Sequence, residues 1–318
     1  MDVLKQLGLL GLIPVITIQD PSKAPLLAEA LWAGGLRCAE VTFRVEGAAQ
    51  AIKLMLETKP EMLVGAGTVL TVEQVVEAKE AGAKFIVAPC FNPEVVEYCV
   101  DNEIPILPGC ITPTEVDSAN MMGLEVVKFF PAESFGGLGT IKAIGGPYKR
   151  MKFVPTGGIN PNNLPSYLAS DRVLACGGSW MVDESLINND DWDEITRRTQ
   201  EAIAIMLGYQ IGHLGINMPN AEEATACADT IANLFGAPTK SGNSSIFVGS
   251  KMEVMKEPYL GEHGHLAIKT NSVERAMYYL EQQGATFNMD TAKYENGRLK
   301  AIYLNAEYGG YALHLLLK

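Results

Sequence analysis

Lys128 is the residue of this sequence whose type and surroundings suggest covalent chemistry. It stands inside the apolar run 126–130 (VVKFF), which indicates a buried strand. Lysine is rarely buried without a partner or a purpose. Burial disfavours the charged ammonium and leaves a nucleophilic amine that can form a Schiff base. A structural ion pair, or a lysine that reaches solvent from an edge strand, accounts for the same pattern, and the strand alone does not decide between them.

Three polar residues in and just after an earlier apolar run, 38–43, could complete such a site. Glu40, Thr42 and Arg44 are spaced by two, so strand periodicity predicts that they share one face. Arg44 could bind a substrate carboxylate through two nitrogens, and Glu40 could move protons directly or through a water. Alternatively, Glu40, Arg44 and Lys128 form a buried network that only satisfies itself.

Paired glycines follow two later apolar runs, in the segments 156–158 (TGG) and 177–179 (GGS). Glycine lets backbone N–H groups approach an anion closely, so the two segments together predict a phosphate site. Each pair alone is equally typical of an ordinary tight turn.

Residues 1–207 contain the elements that would bring these positions together. Short apolar runs alternate with helical patterns in eight β-then-α units, which predicts an α/β fold, a (β/α)8 TIM barrel with its site at the C-terminal strand ends. An open doubly wound sheet is the competing fold, but eight units favour closure. The predicted strands are 12–18, 38–43, 62–69, 85–89, 104–111, 126–131, 151–157 and 173–178.

Residues 208–318 predict a second, smaller domain. All four histidines of the chain lie here, and the segment 212–216 (GHLGI) recurs as 264–268 (GHLAI). A helical stretch follows each segment, and strands follow each helix, so the domain is predicted to be α+β with two β-α-β-β(-β) repeats. The helical stretches are 221–235 and 272–284, and the later strands are 244–248, 251–256, 298–305 and 310–317.

Composition excludes several classes of partner and location. The net charge of −12 argues against a nucleic-acid partner, and no apolar run approaches the ~20 residues that a membrane span needs. The N-terminus shows no basic leader or cleavage site, so we expect no signal peptide. Six scattered cysteines without a CxxC pair favour a reducing, cytoplasmic location.

Five ordered motifs of the first domain resemble the bifunctional 2-keto-3-deoxy-6-phosphogluconate (KDPG) / 4-hydroxy-2-oxoglutarate (KHG) aldolases. They are 39–44 (AEVTFR), 65–69 (GAGTV), 128–133 (KFFPAE), 155–159 (PTGGI) and 177–180 (GGSW). The resemblance covers about residues 8–205. It implies a class I aldolase, typically a homotrimer, that needs no cofactor. Its small-molecule substrate would be a phosphorylated keto acid cleaved to pyruvate and glyceraldehyde 3-phosphate, or a shorter one cleaved to pyruvate and glyoxylate.

The same resemblance implies roles for individual residues. Lys128 matches the Schiff-base lysine and Glu40 the general acid/base residue. The matched binding residues are Arg44 and Thr68 for the pyruvyl carboxylate and Gly157, Gly158, Gly178 and Ser179 for the phosphate. Pro89 and Thr156 are further candidate substrate-binding residues. One departure is Cys90, where the family often has glycine after Pro89. Cys90 either narrows the mouth of the site, which puts substrate preference in doubt, or is plain packing.

The repeats of residues 209–318 resemble the vicinal oxygen chelate superfamily, the glyoxalase/dioxygenase fold. The resemblance implies metal ligands at His213, Glu253, His265 and His314; His314 stands where the family usually has glutamate. Three histidines and one carboxylate favour a divalent ion such as zinc, nickel or iron over magnesium. Isolated strand histidines are more often structural, and His263 is off-register and expected to be exposed.

Three hypotheses of function follow. The first is an aldolase of phosphorylated 2-keto-3-deoxy sugar acids fused to a metal-binding domain. The second places the main activity, a metal-dependent isomerase or dioxygenase, in the second domain. The third makes the second domain a non-catalytic module for sensing or assembly. The sequence does not separate a gluconate-derived substrate from a galactonate-derived or sulfonated one.

Overall fold

The computed structural model describes residues 2–318, which divide into two compact units. The N-terminal unit ends at Met206, and the C-terminal unit comprises Leu207–Lys318. None of the helices in this described part combines the length and the apolar character needed to cross a bilayer.

The N-terminal unit alternates strands with helices. Its strands are β1 (Leu12–Ile16), β2 (Cys38–Thr42), β3 (Leu63–Gly67), β4 (Ile86–Val87), β5 (Ile106–Leu107), β6 (Val126–Phe129), β7 (Lys152–Pro155) and β8 (Cys176–Gly178). Its helices are α1 (Val3–Leu10), α2 (Ala24–Ala33), α3 (Ala48–Thr58), α4 (Val72–Glu80), α5 (Pro93–Asp101), α6 (Pro113–Met121), α7 (Gly137–Gly145), α8 (Leu164–Leu168), α9 (Glu184–Asn188) and α10 (Trp192–Leu207). Every residue of β2 and β3 is buried, as expected of parallel strands covered on both faces. The predicted parallel α/β architecture is therefore confirmed.

The eight strands are paired in parallel and in a cyclic order. Six form one sheet in the order β5-β4-β3-β2-β1-β8, and β6 pairs with β7. Isolated bridges join the two groups: Gly109 pairs with Lys128, and Thr156 pairs with Gly177. The pairing therefore returns to the strand from which it started, which places the carboxyl ends of all eight strands at one rim.

Helix caps fix where the chain turns away from this rim. The side chains of Thr71, Asn92 and Thr112 each accept a backbone N–H in the first turn of α4, α5 and α6. Glu115 accepts in return from the backbone of Thr112, which completes a capping box. The segments between strand end and cap are short, so the rim residues have fixed positions.

The C-terminal unit is built mainly from sheet. Its first half comprises β9 (Gln210–Asn217), α11 (Ala221–Phe235), β10 (Thr239–Ser241), β11 (Ser245–Val248) and β12 (Met252–Met255). Its second half comprises β13 (Gly264–Thr270), α12 (Val273–Glu281), β14 (Phe287–Glu295), β15 (Arg298–Tyr308) and β16 (Tyr311–Leu317). The strands form one sheet in the order β10-β11-β12-β9-β13-β16-β15-β14. The first and last strands of each half therefore lie together at the centre.

The apolar face of α11 anchors the first half. Ala224 and Ala228 of this helix pack on Ile246, Val248 and Val254, and all five side chains are buried. Small alanines let the helix approach the sheet closely. Because the helix covers one face of the sheet, the opposite face is left for polar side chains.

Candidate functional site

The reactive centre expected from the sequence is a buried ion pair inside the ring of strands. Lys128 of β6 and Glu40 of β2 are each 2% exposed, and the lysine Nζ lies 3.3 Å from Glu40 Oε1. The backbone of Lys128 is held at 2.9 Å on both sides, since its N–H donates to Pro108 and its carbonyl accepts from Cys110. The two side chains thus meet from different strands with little freedom to separate.

Glycine at position 67 makes room for the carboxylate. A Cβ at Gly67 would lie 2.3 Å from Glu40 Oε1, which is closer than real contacts allow. The neighbouring Thr42 is buried and donates to the carbonyl of Ile16 at 2.9 Å. Thr42 therefore ties β2 to β1, while Glu40 alone of that strand reaches the lysine.

Arg44 and Thr68 form a second polar pair at the rim. Arg44 lies in the turn after β2 and is exposed, and its Nε donates to Thr68 Oγ1 at 3.2 Å. Thr68 has a φ of 56°, an uncommon conformation for a β-branched residue that points to a local constraint. Arg44 reaches the rim from a turn, although strand periodicity predicted it on the face of an extended strand.

A cavity of about 330 Å³ opens between Arg44 and the ends of β7 and β8. Its lining includes the predicted residues Arg44, Thr156, Gly157, Gly158, Gly178 and Ser179. Phe130 also lines it, and its ring centroid lies 5.2 Å from Lys128 Nζ. The cavity volume falls in the range of small-molecule sites.

Thr156 carries an unpaired polar atom in this cavity. The residue is 6% exposed, and its Oγ1 has no hydrogen-bond partner within the described residues. Gly157 and Gly158 follow it with φ values of 92° and 82°, which glycine adopts at little cost. A buried hydroxyl without a partner is costly, so Thr156 is a group in need of a ligand atom.

Pro89 and Cys90 are not among the residues that line this cavity. Pro89 is partly buried, and its carbonyl oxygen would lie 2.2 Å from a Cβ at Gly109, the residue bridged to Lys128. Cys90 is an exposed free thiol. The Pro89 backbone therefore packs against Gly109, where only glycine fits.

Sequence reasoning missed three polar residues of the cavity lining, which are Thr17, Asp183 and Glu184. Thr17 follows the end of β1, so the rule that selects strand ends could have found it. The two carboxylates precede and begin α9, where Asp183 accepts from Ser185 as the N-cap, and no sequence signal marked them as lining residues.

The second group of predicted residues converges at the centre of the C-terminal sheet. His213 of β9 and His265 of β13 place their Nε2 atoms 3.1 Å apart. Glu253 Oε2 of β12 lies 3.0 Å from the first and 3.2 Å from the second. His314 of β16 joins them, and one nitrogen from each of the three histidines lies within 4.8 Å of the others. His263 is exposed, as predicted.

Several atoms of this cluster lack protein partners. His314 is 6% exposed, and neither of its ring nitrogens, nor Nδ1 of His265, has a hydrogen-bond partner within the described residues. Burial, with the neighbouring His265 and His213, lowers the pKa of His314 to about 3, so its imidazole is neutral at pH 7 and one ring nitrogen carries a free lone pair. Burial raises the pKa of Glu253, but hydrogen bonds from His213, His265 and Ser245 outweigh it and hold the pKa well below its usual range.

Comparison with known proteins places the N-terminal unit. The family described as KDPG and KHG aldolase matches residues 3–198. The 2-dehydro-3-deoxy-phosphogluconate aldolase of Treponema pallidum is 47% identical over 206 residues, which are 65% of this chain and 98% of the relative. The enzyme of that name from Haemophilus influenzae is 46% identical over 205 residues, 64% of this chain and 97% of the relative.

A solved structure agrees with these relatives. The KDPG aldolase of Legionella pneumophila, crystallised with pyruvate captured at low pH as a covalent carbinolamine intermediate, is 39% identical with a TM-score of 0.61. The similarity covers 64% of this chain and 98% of that one. Since the family match spans more than half of the sequence, the chain belongs to the KDPG and KHG aldolase family.

Proposed function

We propose that the N-terminal unit is a class I aldolase that cleaves 2-keto-3-deoxy-6-phosphogluconate to pyruvate and glyceraldehyde 3-phosphate. The shorter 4-hydroxy-2-oxoglutarate would give pyruvate and glyoxylate. The observation that carries the proposal is the buried pair of Lys128 and Glu40, 3.3 Å apart, in a chain whose relatives are named as aldolases of this substrate.

The pair has the groups that the reaction needs. In the mechanism we propose, Lys128 gives a proton to Glu40 and attacks the C2 ketone as the neutral amine. Glu40 returns the proton to the carbinolamine hydroxyl, which leaves as water, and the resulting protonated imine withdraws electrons from C3. Glu40 takes the proton of the C4 hydroxyl as the C3–C4 bond breaks, and the aldehyde leaves an enamine. Protonation of the enamine at C3 and hydrolysis of the imine release pyruvate and restore the lysine.

Substrate orientation follows from the two ends of the cavity. The guanidinium of Arg44, whose Nε donates to Thr68 Oγ1 at 3.2 Å, would bind the substrate carboxylate. The glycine turns after β7 and β8, with Ser179, offer backbone N–H and hydroxyl groups for a phosphate. Thr156 Oγ1, unpaired within the described residues, is then satisfied by a substrate hydroxyl or phosphate oxygen.

Reductive trapping tests the imine. Borohydride reduction in the presence of pyruvate, followed by peptide mass mapping, is expected to place a pyruvyl adduct on Lys128. Lys128→Met should abolish cleavage, whereas Lys142→Met, on an exposed position of α7, should leave turnover unchanged. Absence of an adduct from Lys128 in the folded chain, or normal turnover without that lysine, contradicts the proposal.

Substrate preference is tested separately. If the glycine turns bind phosphate, kcat/KM for the 6-phosphorylated keto acid should exceed that for 2-keto-3-deoxygluconate by about two orders of magnitude or more, because charge-assisted hydrogen bonds are lost with the phosphate. Equal kcat/KM values would remove the phosphate assignment and leave the imine chemistry standing.

As a second function, we propose that the C-terminal unit binds one divalent first-row metal ion through His213, Glu253, His265 and His314. The proposal is supported by the buried nitrogens of His314, which lack a partner within the described residues, and by the carboxylate placed between two imidazoles. Zinc, nickel or iron suits this donor set, and such an ion would supply Lewis-acid chemistry when bound. Metal analysis after stripping and reloading should give one equivalent, and His265→Ala with His314→Ala should give none.

We also propose a cellular location and an oligomeric state for the chain. All six cysteines are free thiols, which suits the cytoplasm. The assembly expected from the family resemblance is a homotrimer, and light scattering of the purified chain would measure its mass.

A further inference from the structure

A second cavity, of about 500 Å³, lies over the histidine cluster of the C-terminal sheet. Phe247 of β11 and Lys293 of β14 both line it, although these strands stand near opposite ends of the sheet order. The outer strands therefore curve around the central ones, and the cluster forms the floor of a cleft. Its size suits a small organic molecule.

The charged side chains that line this cleft differ in whether they have an ion-pair partner. Among its described lining residues, the side chains charged at neutral pH are Glu253, Lys293 and Lys300. Glu253 is bound by two histidines and by Ser245 Oγ at 2.6 Å. Lys300 pairs with Glu295 at 2.7 Å, whereas Lys293 has no ion-pair partner within residues 2–318. One lysine is therefore available to an incoming anion, and a bound metal ion would add further positive charge.

The remaining walls are largely apolar. Tyr303 stacks on His314 with ring centroids 4.7 Å apart, and Tyr259 meets Tyr303 edge to face at 5.8 Å. Met255 and Leu316 also line the cleft. Aromatic and aliphatic surfaces bind a carbon skeleton, while the few polar groups fix its orientation.

We infer that this cleft binds a small organic carboxylate, with its negative charge toward Lys293 and its carbon skeleton against Tyr259 and Tyr303. The inference rests on the metal site proposed above. A carboxylate carries one charge, which matches the one available lysine. A phosphate monoester carries nearly two, and its neutralisation by lysines alone would also need Lys300, which is paired with Glu295. The aldolase reaction proposed for the N-terminal unit releases pyruvate, a compound of this class.

The full chain loaded with Co²⁺ provides the test, because the visible absorption of the ion responds to changes at the cluster alone. Pyruvate is expected to perturb this spectrum saturably, whereas hydroxyacetone, which lacks the carboxylate, and glycerol 3-phosphate should not. Lys293→Met should weaken the response to pyruvate about ten-fold or more. The matched control Lys240→Met, on the exposed edge strand β10, should behave as the unmodified chain.

The possible outcomes distinguish a failure of this inference from a failure of the metal site on which it rests. A chain that holds no Co²⁺ contradicts the metal site and the carboxylate site together. A chain that holds Co²⁺ but gives no response to saturating pyruvate contradicts the carboxylate site alone. A response to glycerol 3-phosphate only, or equal affinities for Lys293→Met and Lys240→Met, overturns the ligand class or the role of Lys293. None of these results bears on the lysine imine, which the trapping experiment measures independently.

Discussion

Replacement of Glu40 by glutamine should destabilise the N-terminal unit by about 3–5 kcal/mol, the usual cost of breaking a buried ion pair. The pair is 3.3 Å apart, and at an effective dielectric constant of about 20 two unit charges at that distance attract by about 5 kcal/mol. Glutamine has nearly the same shape as glutamate, so the substitution removes only the negative charge. The Lys128 ammonium is then buried without a counterion. Asp190→Asn is the matched control, since its carboxylate lies 2.9 Å from Lys23 but is 58% exposed. It should cost less than about 1 kcal/mol.

The assay uses a property of the sequence. All three tryptophans lie in the N-terminal unit, at positions 32, 180 and 192, so urea unfolding followed by their fluorescence reports on this unit separately from the other. The double variant Glu40→Gln, Lys128→Met should retain about 1–3 kcal/mol more stability than the two single losses predict, because neither charge is left unpaired. Equal losses for Glu40→Gln and Asp190→Asn, or strict additivity in the double variant, would refute the assignment of a stabilising buried pair.

Three further changes test the catalytic carboxylate, the unpaired threonine hydroxyl and the exposed thiol. Gly67→Ala should lower kcat about 100-fold because its methyl group displaces the Glu40 carboxylate, whereas Gly139→Ala, with open space around it in α7, should leave kcat unchanged; equal rates would contradict this reason. Thr156→Val should raise the free energy of unfolding by about 1 kcal/mol by removing a buried hydroxyl that has no partner within the described residues, yet lower kcat/KM; a simultaneous loss of stability would show that the hydroxyl is satisfied. Thiol labelling of the native chain should modify Cys90, the exposed cysteine, first, and Cys90→Ser should remove that fast phase.

The sequence predicted the eight strands of the first unit but not their lengths. The apolar runs 85–89 and 104–111 contain strands of two residues each, Ile86–Val87 and Ile106–Leu107. An apolar run records burial, whereas a strand requires hydrogen bonds to its neighbours. Pro105 and Pro108 flank β5 and have no N–H to donate, which is why the ladder is shorter than the run.

In the second unit, alternation of apolar residues found the buried strands and missed two exposed ones, Thr239–Ser241 and Phe287–Glu295. The predicted helix 221–235 coincides with Ala221–Phe235. The long strand Phe287–Glu295 has mostly exposed or half-buried residues, so hydrophobic periodicity gave no signal for it. That strand supplies Lys293 to the cleft, and the cleft was therefore absent from the sequence-based picture although its histidines were present.

Some residues of the candidate site could be predicted from local sequence, and others could not. Lys128 and Glu40 were recognisable because a charge inside an apolar strand demands a partner, and the structure brings the two together. The contributions of Thr17 and Glu184 to the cavity depend on how strand ends and the start of α9 meet around the rim. These contacts depend on tertiary packing, and hydrophobic periodicity in the sequence does not predict them.

The two halves of the C-terminal sheet share the histidine cluster equally. β9 and β12 contribute His213 and Glu253, while β13 and β16 contribute His265 and His314. Neither half alone can therefore assemble the four donors. If the chain were divided in the loop between β12 and β13, we expect tight metal binding only when the fragments reassociate, so the ion would act as a reporter of fragment complementation. The two halves differ in one donor, since Glu253 and His314 stand on the last strands of their respective halves.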